Sequence, residues 1–385
     1  MGTKNDMETL KPVQGNNRVQ NHAGTPEQHS PQQSHIPCNQ GYRIRNPSTG
    51  EDRDRLYFCI VRKTQSQNIK QKTFLKKQTL NTSDMQLIKD KEFGGERPLF
   101  ESHDLHLDNV TIRAGESAIK ECSNIIATNC RFEGNYPFWH VHSFTIERCF
   151  FDVGGRSALW YCDQLKMTDT VIDAPKMFRE MNEIDLENVV MNDADEVFWR
   201  CRNLRIKNLK LHGGTYPFMF SNNIYIDGLE SDSKYVFQYV KNAEIHHARI
   251  TTKDAFWEVE NVTIYDSELN GEYLGWHSKN LRLVNCHISG EQPLCYAHHL
   301  ILENCTFDPG CDRAFEYSTL QADIRGAITN IKNPMSGRIV ADEIGSVTID
   351  ENIKAPADCR IEQRKKQTLC NTILTKSSPA TAPIA

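Results

Sequence analysis

From residue 104 onward, apolar and polar positions recur in a short figure: a polar residue, often Asn, then apolar–x–apolar, then a polar pair that often ends in Asn or Asp. The figure reads DLHLDN at Asp104, NIIATN at Asn124, SFTIER at Ser143, QLKMTD at Gln164, EIDLEN at Glu183 and NLRIKN at Asn203. It continues as NIYIDG at Asn223, NAEIHH at Asn242, NVTIYD at Asn261, NLRLVN at Asn280 and HLILEN at His299, and fades at TLQADI, Thr319. Successive starts lie 19 to 21 residues apart, and twelve copies at so tight a period mark a solenoid. Each copy also holds a second short strand, marked upstream by an aromatic pair, as in PFWHV, ALWYC, VFWRC and AFWEV. Short strands with Asn, Asp and Gly at the corners describe one rung of a β-helix, because Asn tolerates left-handed backbone and stacks in ladders. Leucine-rich spacing is absent, and so is the hexapeptide pattern of a left-handed β-helix. The pattern therefore predicts an all-β fold: a right-handed parallel β-helix, a single-stranded solenoid of about 12 rungs.

Stacking the copies assigns columns. Six residues before the first apolar residue of each unit stand Leu99, Ile119, Phe138, Leu159, Phe178, Phe198, Phe218, Phe237, Phe256, Gly275, Leu294 and Ala314. That column is nearly all apolar and is expected to point inward, burying a core that no single rung could supply. Cys130, Cys149, Cys286 and Cys305 share a further interior column and read as small apolar fillers.

The next column outward in sequence reads Phe100, Lys120, Trp139, Trp160, Arg179, Trp199, Met219, Gln238, Trp257, Trp276, Cys295 and Phe315, and it contains all five tryptophans. Strand alternation turns it away from the core. An outward ladder of indoles suits the stacking of sugar rings, so Trp139, Trp160, Arg179, Trp199, Trp257 and Trp276 are the candidate substrate-binding residues. The alternative is a wall covered by a loop, a tail or a partner subunit, the last a homo-oligomer packed through these aromatics.

After it comes a polar column: Glu101, Glu121, His140, Tyr161, Glu180, Arg200, Phe220, Tyr239, Glu258, His277, Tyr296 and Glu316. Simple alternation would turn these side chains inward, where unpaired charge is costly; either the strand bends here or the column is a paired polar ladder. Glu258 with His277, and Glu121 with His140, are the candidate catalytic residues, carboxylate–imidazole pairs expected about one rung apart. Structural ion pairing is the competing reading of both. Arg156, Lys176, Arg179 and Lys253 are cations near the wall, and Tyr136, Tyr216, Tyr235 and Tyr273 form another column suited to corner packing. Neither HH pair, at His246 and His298, has metal-ligand spacing, so no metal and no cofactor is expected.

The segment from Met85 to about Ile353 resembles a bacterial family, the domain of unknown function 3737, of the pectin-lyase-like β-helix group. The residues that carry the resemblance are GERPLF at Gly95, KECSNI at Lys120, CRFEG at Cys130, YPFWH at Tyr136, APKMF at Ala174 and KDAFW at Lys253. NGEYLGWHSKNLRLVNC at Asn270, QPLCYA at Gln292, AFEYS at Ala314 and SGRIVAD at Ser336 complete them. The resemblance supports the fold far more than a reaction. It implies a carbohydrate-active or carbohydrate-binding protein; if an enzyme, a glycan lyase, a glycoside hydrolase or an epimerase, with a glycan or oligosaccharide as partner. A non-catalytic binding or oligomerisation scaffold is the rival expectation.

Composition changes this picture at the edges only. Residues 1–84 are rich in Gln, His, Pro and Ser, lack periodicity, and read as a disordered tail; residues 354–385 read as a second, polar tail. The folded domain is thus expected over 85–353. A net charge of −5 gives no general pull toward nucleic acid or an anionic membrane. No apolar run reaches the roughly 20 residues of a membrane span. Thirteen cysteines without CxxC spacing or an export signal point to reduced thiols and the cytoplasm.

Overall fold

The computed structural model describes residues 84–353 and 358–365, all within the unit Leu75–Ala385. The expected N-terminal tail, apart from Asp84, and the C-terminal tail from residue 366 on lie outside the described residues. The described chain is an all-β solenoid of about 14 turns whose strands pair in parallel, with no α-helix. Two strands upstream of the recognised repeats, Gln86–Lys89 and Glu92–Glu96, and two downstream of them, Ser336–Thr348 and Asp358–Gln363, extend the series. The last of these lies in the segment expected as tail, and it pairs residue by residue with Ser336 to Ala341.

The repeated figure forms the first wall. Leu165, Ile184, Leu204, Ile224, Ala243, Val262 and Leu281 stand in register on successive rungs, and so do Met167, Leu186, Ile206, Ile226, Ile245, Ile264 and Leu283. Both sets are buried, as period-two alternation requires. An Asn-rich corner then turns the chain into a second wall, where Ile172, Met191, Leu211, Ser231 and Ile250 align. The corners are built as the sequence suggests. Asn203, Asn223, Asn242, Asn261 and Asn280 all have φ between 53° and 58°, and each amide donates to the carbonyl oxygen of the side chain one rung before.

The inward aromatic column closes the third wall. Phe178, Phe198, Phe218, Phe237 and Phe256 stack with ring centroids 4.5 to 5.1 Å apart. At Gly275 the column has no side chain, and the methyl groups of Leu294 and Leu281 occupy the space, within 2.9 and 3.0 Å of where a Cβ would stand. Cys130, Cys149, Cys286 and Cys305 are buried free thiols in the interior, as fillers should be.

The column count needs one correction at the last copy. Leu300 pairs with Leu320, yet the connection before Leu320 is one residue shorter than in the preceding rungs. Phe315, not Ala314, therefore continues the inward Phe column, Glu316 takes the place of Phe315, and Tyr317 takes the place of Glu316. Backbone bonds confirm the shift: Tyr296 N–H donates to the Glu316 carbonyl, and Tyr317 stacks on Tyr296 at 5.7 Å.

Candidate functional site

The third wall is too short to alternate simply, because its backbone turns twice. From Leu159 onward the inward residue and the residue two later are both left-handed, as at Phe198 and Arg200 (φ 57° and 56°) and at Phe256 and Glu258 (φ 58° and 53°). The first bend sends Phe to the core and the second keeps the polar column from following it. Hence the tryptophan column and the polar column both face outward, and the burial cost that the polar column threatened does not arise. Left-handed backbone costs an ordinary residue roughly 1–2 kcal/mol. Here a rung-to-rung hydrogen bond offsets it, since the third residue donates N–H to the next carbonyl of the tryptophan column: Glu121 to Trp139 (3.0 Å), His140 to Trp160 (3.1 Å) and Glu258 to Trp276 (2.9 Å).

The six predicted binding residues stand where the column count places them; in the first group, Trp139, Trp160, Arg179 and Trp199 bridge in sequence. Their faces, however, are turned to one another. Trp139 and Trp160 stack at 5.4 Å with 15° between planes, the Arg179 guanidinium lies 4.5 Å from the Trp160 centroid and 5.3 Å from that of Trp199, and Lys120 covers Trp139 at 5.7 Å. Cation–π and indole contacts thus occupy faces that a sugar ring would need, and the indoles offer mainly their edges. Three of the five indole N–H groups are also engaged: Trp139 donates to the Ser157 carbonyl (2.9 Å), Trp160 to Lys176 (2.7 Å) and Trp276 to Gln292 (2.8 Å). In each case the acceptor lies three residues before the equivalent position on the next rung. Gln238, which replaces Trp in the column, makes the same bond through its amide to the Asp254 carbonyl at 3.2 Å.

Three of the four cations near the wall are tied to carboxylates. Arg179 and Lys176 share Glu196, at 2.8 and 3.2 Å, and Lys253 pairs with Glu272 at 3.2 Å. Tyr216 and Tyr235 stack on each other at 4.8 Å, while Tyr136 and Tyr273 set their edges against Trp139 and Trp276, which is corner packing.

The two candidate catalytic pairs differ. His140 Nδ1 lies 3.4 Å from Glu121 Oε1, both side chains about 40% exposed, with the Tyr161 ring edge-on to the imidazole. Glu258 and His277 are exposed on adjacent rungs, but the expected pair does not form. His277 instead lies flat on Tyr296, with centroids 4.9 Å apart, and contacts Trp257 at 5.3 Å. An imidazole between aromatic rings gains more from stacking than from a solvent-screened carboxylate.

Between the two tryptophan groups the ladder is interrupted at Met219 and Gln238, and there an open pocket of about 400 Å³ is lined by Phe220, Ser221, Asn222, Tyr239, Lys241 and Asn242. Phe220 and Tyr239 stack at 4.9 Å, and Phe220 remains 39% exposed. Among the described residues the Asn222 side chain has no hydrogen-bond partner, and Lys241 is held by Glu260 at 3.1 Å. Nothing in the sequence singles out these residues. Phe220 and Tyr239 read as apolar interruptions of a polar column, and their stacking exists only across rungs.

With this geometry in hand, comparison with known proteins adds a family and a distant likeness. No curated protein matches the chain. Among solved structures, a double mutant of the periplasmic alginate epimerase AlgG is similar at 11% identity and a TM-score of 0.32, covering 72% of this chain and 74% of that one. A single mutant of the same epimerase gives 10% identity and a TM-score of 0.25 over the same shares. The family profile described as protein of unknown function (DUF3737) matches residues 86–362, nearly the whole described solenoid. The chain belongs to the DUF3737 family.

Proposed function

We propose that the protein binds carbohydrate on its third wall, at the break in the tryptophan ladder rather than on the indole faces. The observation that supports this reading is the Phe220–Tyr239 pocket. The exposed Phe220 ring stacked on the half-buried Tyr239, a side-chain amide with no partner among the described residues and an ammonium group converge there, which is the mixture of apolar platform and directed polar groups that a sugar requires. Trp199 and Trp257 flank the pocket along the axis and lend indole edges to a longer oligosaccharide. Calorimetric titration of the full-length chain against a panel of neutral oligosaccharides tests it. Saturable binding that disappears in Tyr239→Ala and survives in Trp160→Phe is the expected result, and no saturable binding across the panel sinks the proposal.

Catalysis is a second reading, supported by one contact. The Glu121–His140 pair holds a carboxylate and an imidazole together on adjacent rungs, as general acid–base work on a glycan requires. If it is the catalytic pair, Glu121→Gln leaves glycan binding intact and stops product formation. Undiminished product formation in that variant removes the pair from any mechanism.

A further inference from the structure

The outward face of the first wall carries a second cluster, on rungs 202–284. Register brings Arg205, Tyr225, Glu244, Thr263 and Arg282 into one column and Asp227, His246 and Tyr265 into the next. Elsewhere on this face charges cancel across rungs, as in Lys207–Glu187 at 2.6 Å and Lys89–Asp108 at 2.9 Å. Around His246 the arrangement is different. Its Nε2 lies 2.9 Å from Glu244 Oε1, and both side chains are only about a quarter exposed. Its ring lies flat on Tyr265, centroids 4.6 Å apart and planes 8° apart, while Tyr225 approaches from the rung before at 5.7 Å. The imidazole is therefore held between its neighbours, and among the described residues Nδ1 has no hydrogen-bond partner.

Arg205, beside Tyr225 in the column, is exposed and makes no contact ion pair among the described residues. Asp185, opposite it in register, is half-buried and makes no contact ion pair with it; burial pushes its carboxyl above the ordinary value. Arg282, by contrast, is bound to Glu303 through two bonds of 3.0 and 2.9 Å. Tyr225, 38% exposed, stands on the rung between those of Arg205 and His246. Arg205 and His246 lie two rungs apart along the axis, about 10 Å at ~4.8 Å per rung, and two residues apart across it, so their backbones are roughly 12 Å apart, a gap that one sugar ring and two long side chains can bridge.

We propose that this face is a second ligand site for an anionic monosaccharide: Arg205 takes the carboxylate or phosphate, the Tyr225 ring takes the apolar face of the pyranose, and His246 Nδ1 takes a ring hydroxyl. A planar guanidinium suits either anion through paired N–H groups. The site lies on a different wall from the Phe220–Tyr239 pocket and does not depend on that reading. Titration of the full-length chain with glucuronate, glucose 6-phosphate and glucose distinguishes the anions from each other and from the neutral parent. Saturable binding of at least one anionic sugar, at least tenfold tighter than glucose, is expected; Arg205→Gln should erase that difference and His246→Gln should weaken binding at least tenfold. Asp185→Asn should tighten it, and Tyr239→Ala should leave it unchanged. Circular dichroism of each variant guards against loss of fold. Anion binding that is not saturable, that persists undiminished in Arg205→Gln, or that is lost in Tyr239→Ala instead overturns the proposal.

Discussion

Phe218 is fully buried between two rings, with Phe198 and Phe237 each 4.6 Å away by centroid. Its removal opens a cavity that a hydrogen-bonded rung cannot collapse into. Phe218→Ala is expected to cost about 3–5 kcal/mol in denaturant unfolding, with Phe218→Leu well below that. At Asp185 the balance runs the other way. Burial raises its carboxyl above the ordinary value, ahead of the opposing pull of Arg205 and Lys166. The folded chain then holds that proton more tightly than the unfolded chain. This contribution to stability is present below the unfolded value and lost as pH rises through the folded one. Asp185→Asn should therefore raise the unfolding midpoint at neutral pH and flatten the pH dependence on the acid side, measured by thermal melts across that range. A lower midpoint at neutral pH would show that the attraction of Arg205 and Lys166 outweighs burial.

At the scale of the corner element, the N–H donated to the next rung identifies what the tryptophan column does structurally. Gln238 supplies that donor where indole is absent. Gln238→Leu should leave the Asp254 carbonyl unbonded and cost about 1 kcal/mol, whereas Gln238→Trp should be near neutral; chemical denaturation of the two variants separates them. A constant period was enough to place Trp139, Trp160, Arg179 and Trp199 in one file, since counting residues along equal rungs is counting register. Counting gave neighbours but no tilt. That indole faces meet each other, and that His277 prefers Tyr296 to Glu258, depends on side-chain torsions that residue order does not encode. The double left-handed bend was half visible, as the dilemma of a polar column that alternation would have buried. The shift at Phe315 escaped the count because one residue is missing from a connection and not from a strand.

At the scale of the whole molecule, a repeating wall invites the reading of an assembly surface. Exposed Tyr161 and Phe220, 41% and 39% accessible, are the apolar groups a second copy would cover. Ligand binding and assembly predict different masses: sedimentation of the full-length chain should give the same mass for the parent and for Trp276→Ala if the wall serves a ligand, and a smaller mass for the variant if it serves a subunit interface. His246 illustrates why long-range sites stay hidden in a solenoid sequence. In the chain it is half of an HH pair without ligand spacing; its two ring neighbours, Tyr225 and Tyr265, each arrive from a different rung. The Asn files at the corners have a further consequence. Each Asn is both donor to one neighbour and acceptor for another, so any rung of the middle series presents the same two complementary edges. Length in this molecule is therefore quantised. An insertion or deletion of one complete turn rejoins like edges, while a change of one residue inside a strand reverses its faces until a bulge absorbs the shift, as one does between Leu302 and Cys305. The natural currency of change for such a chain is the whole turn, and a ligand site built across rungs can be lengthened or shortened in the same steps.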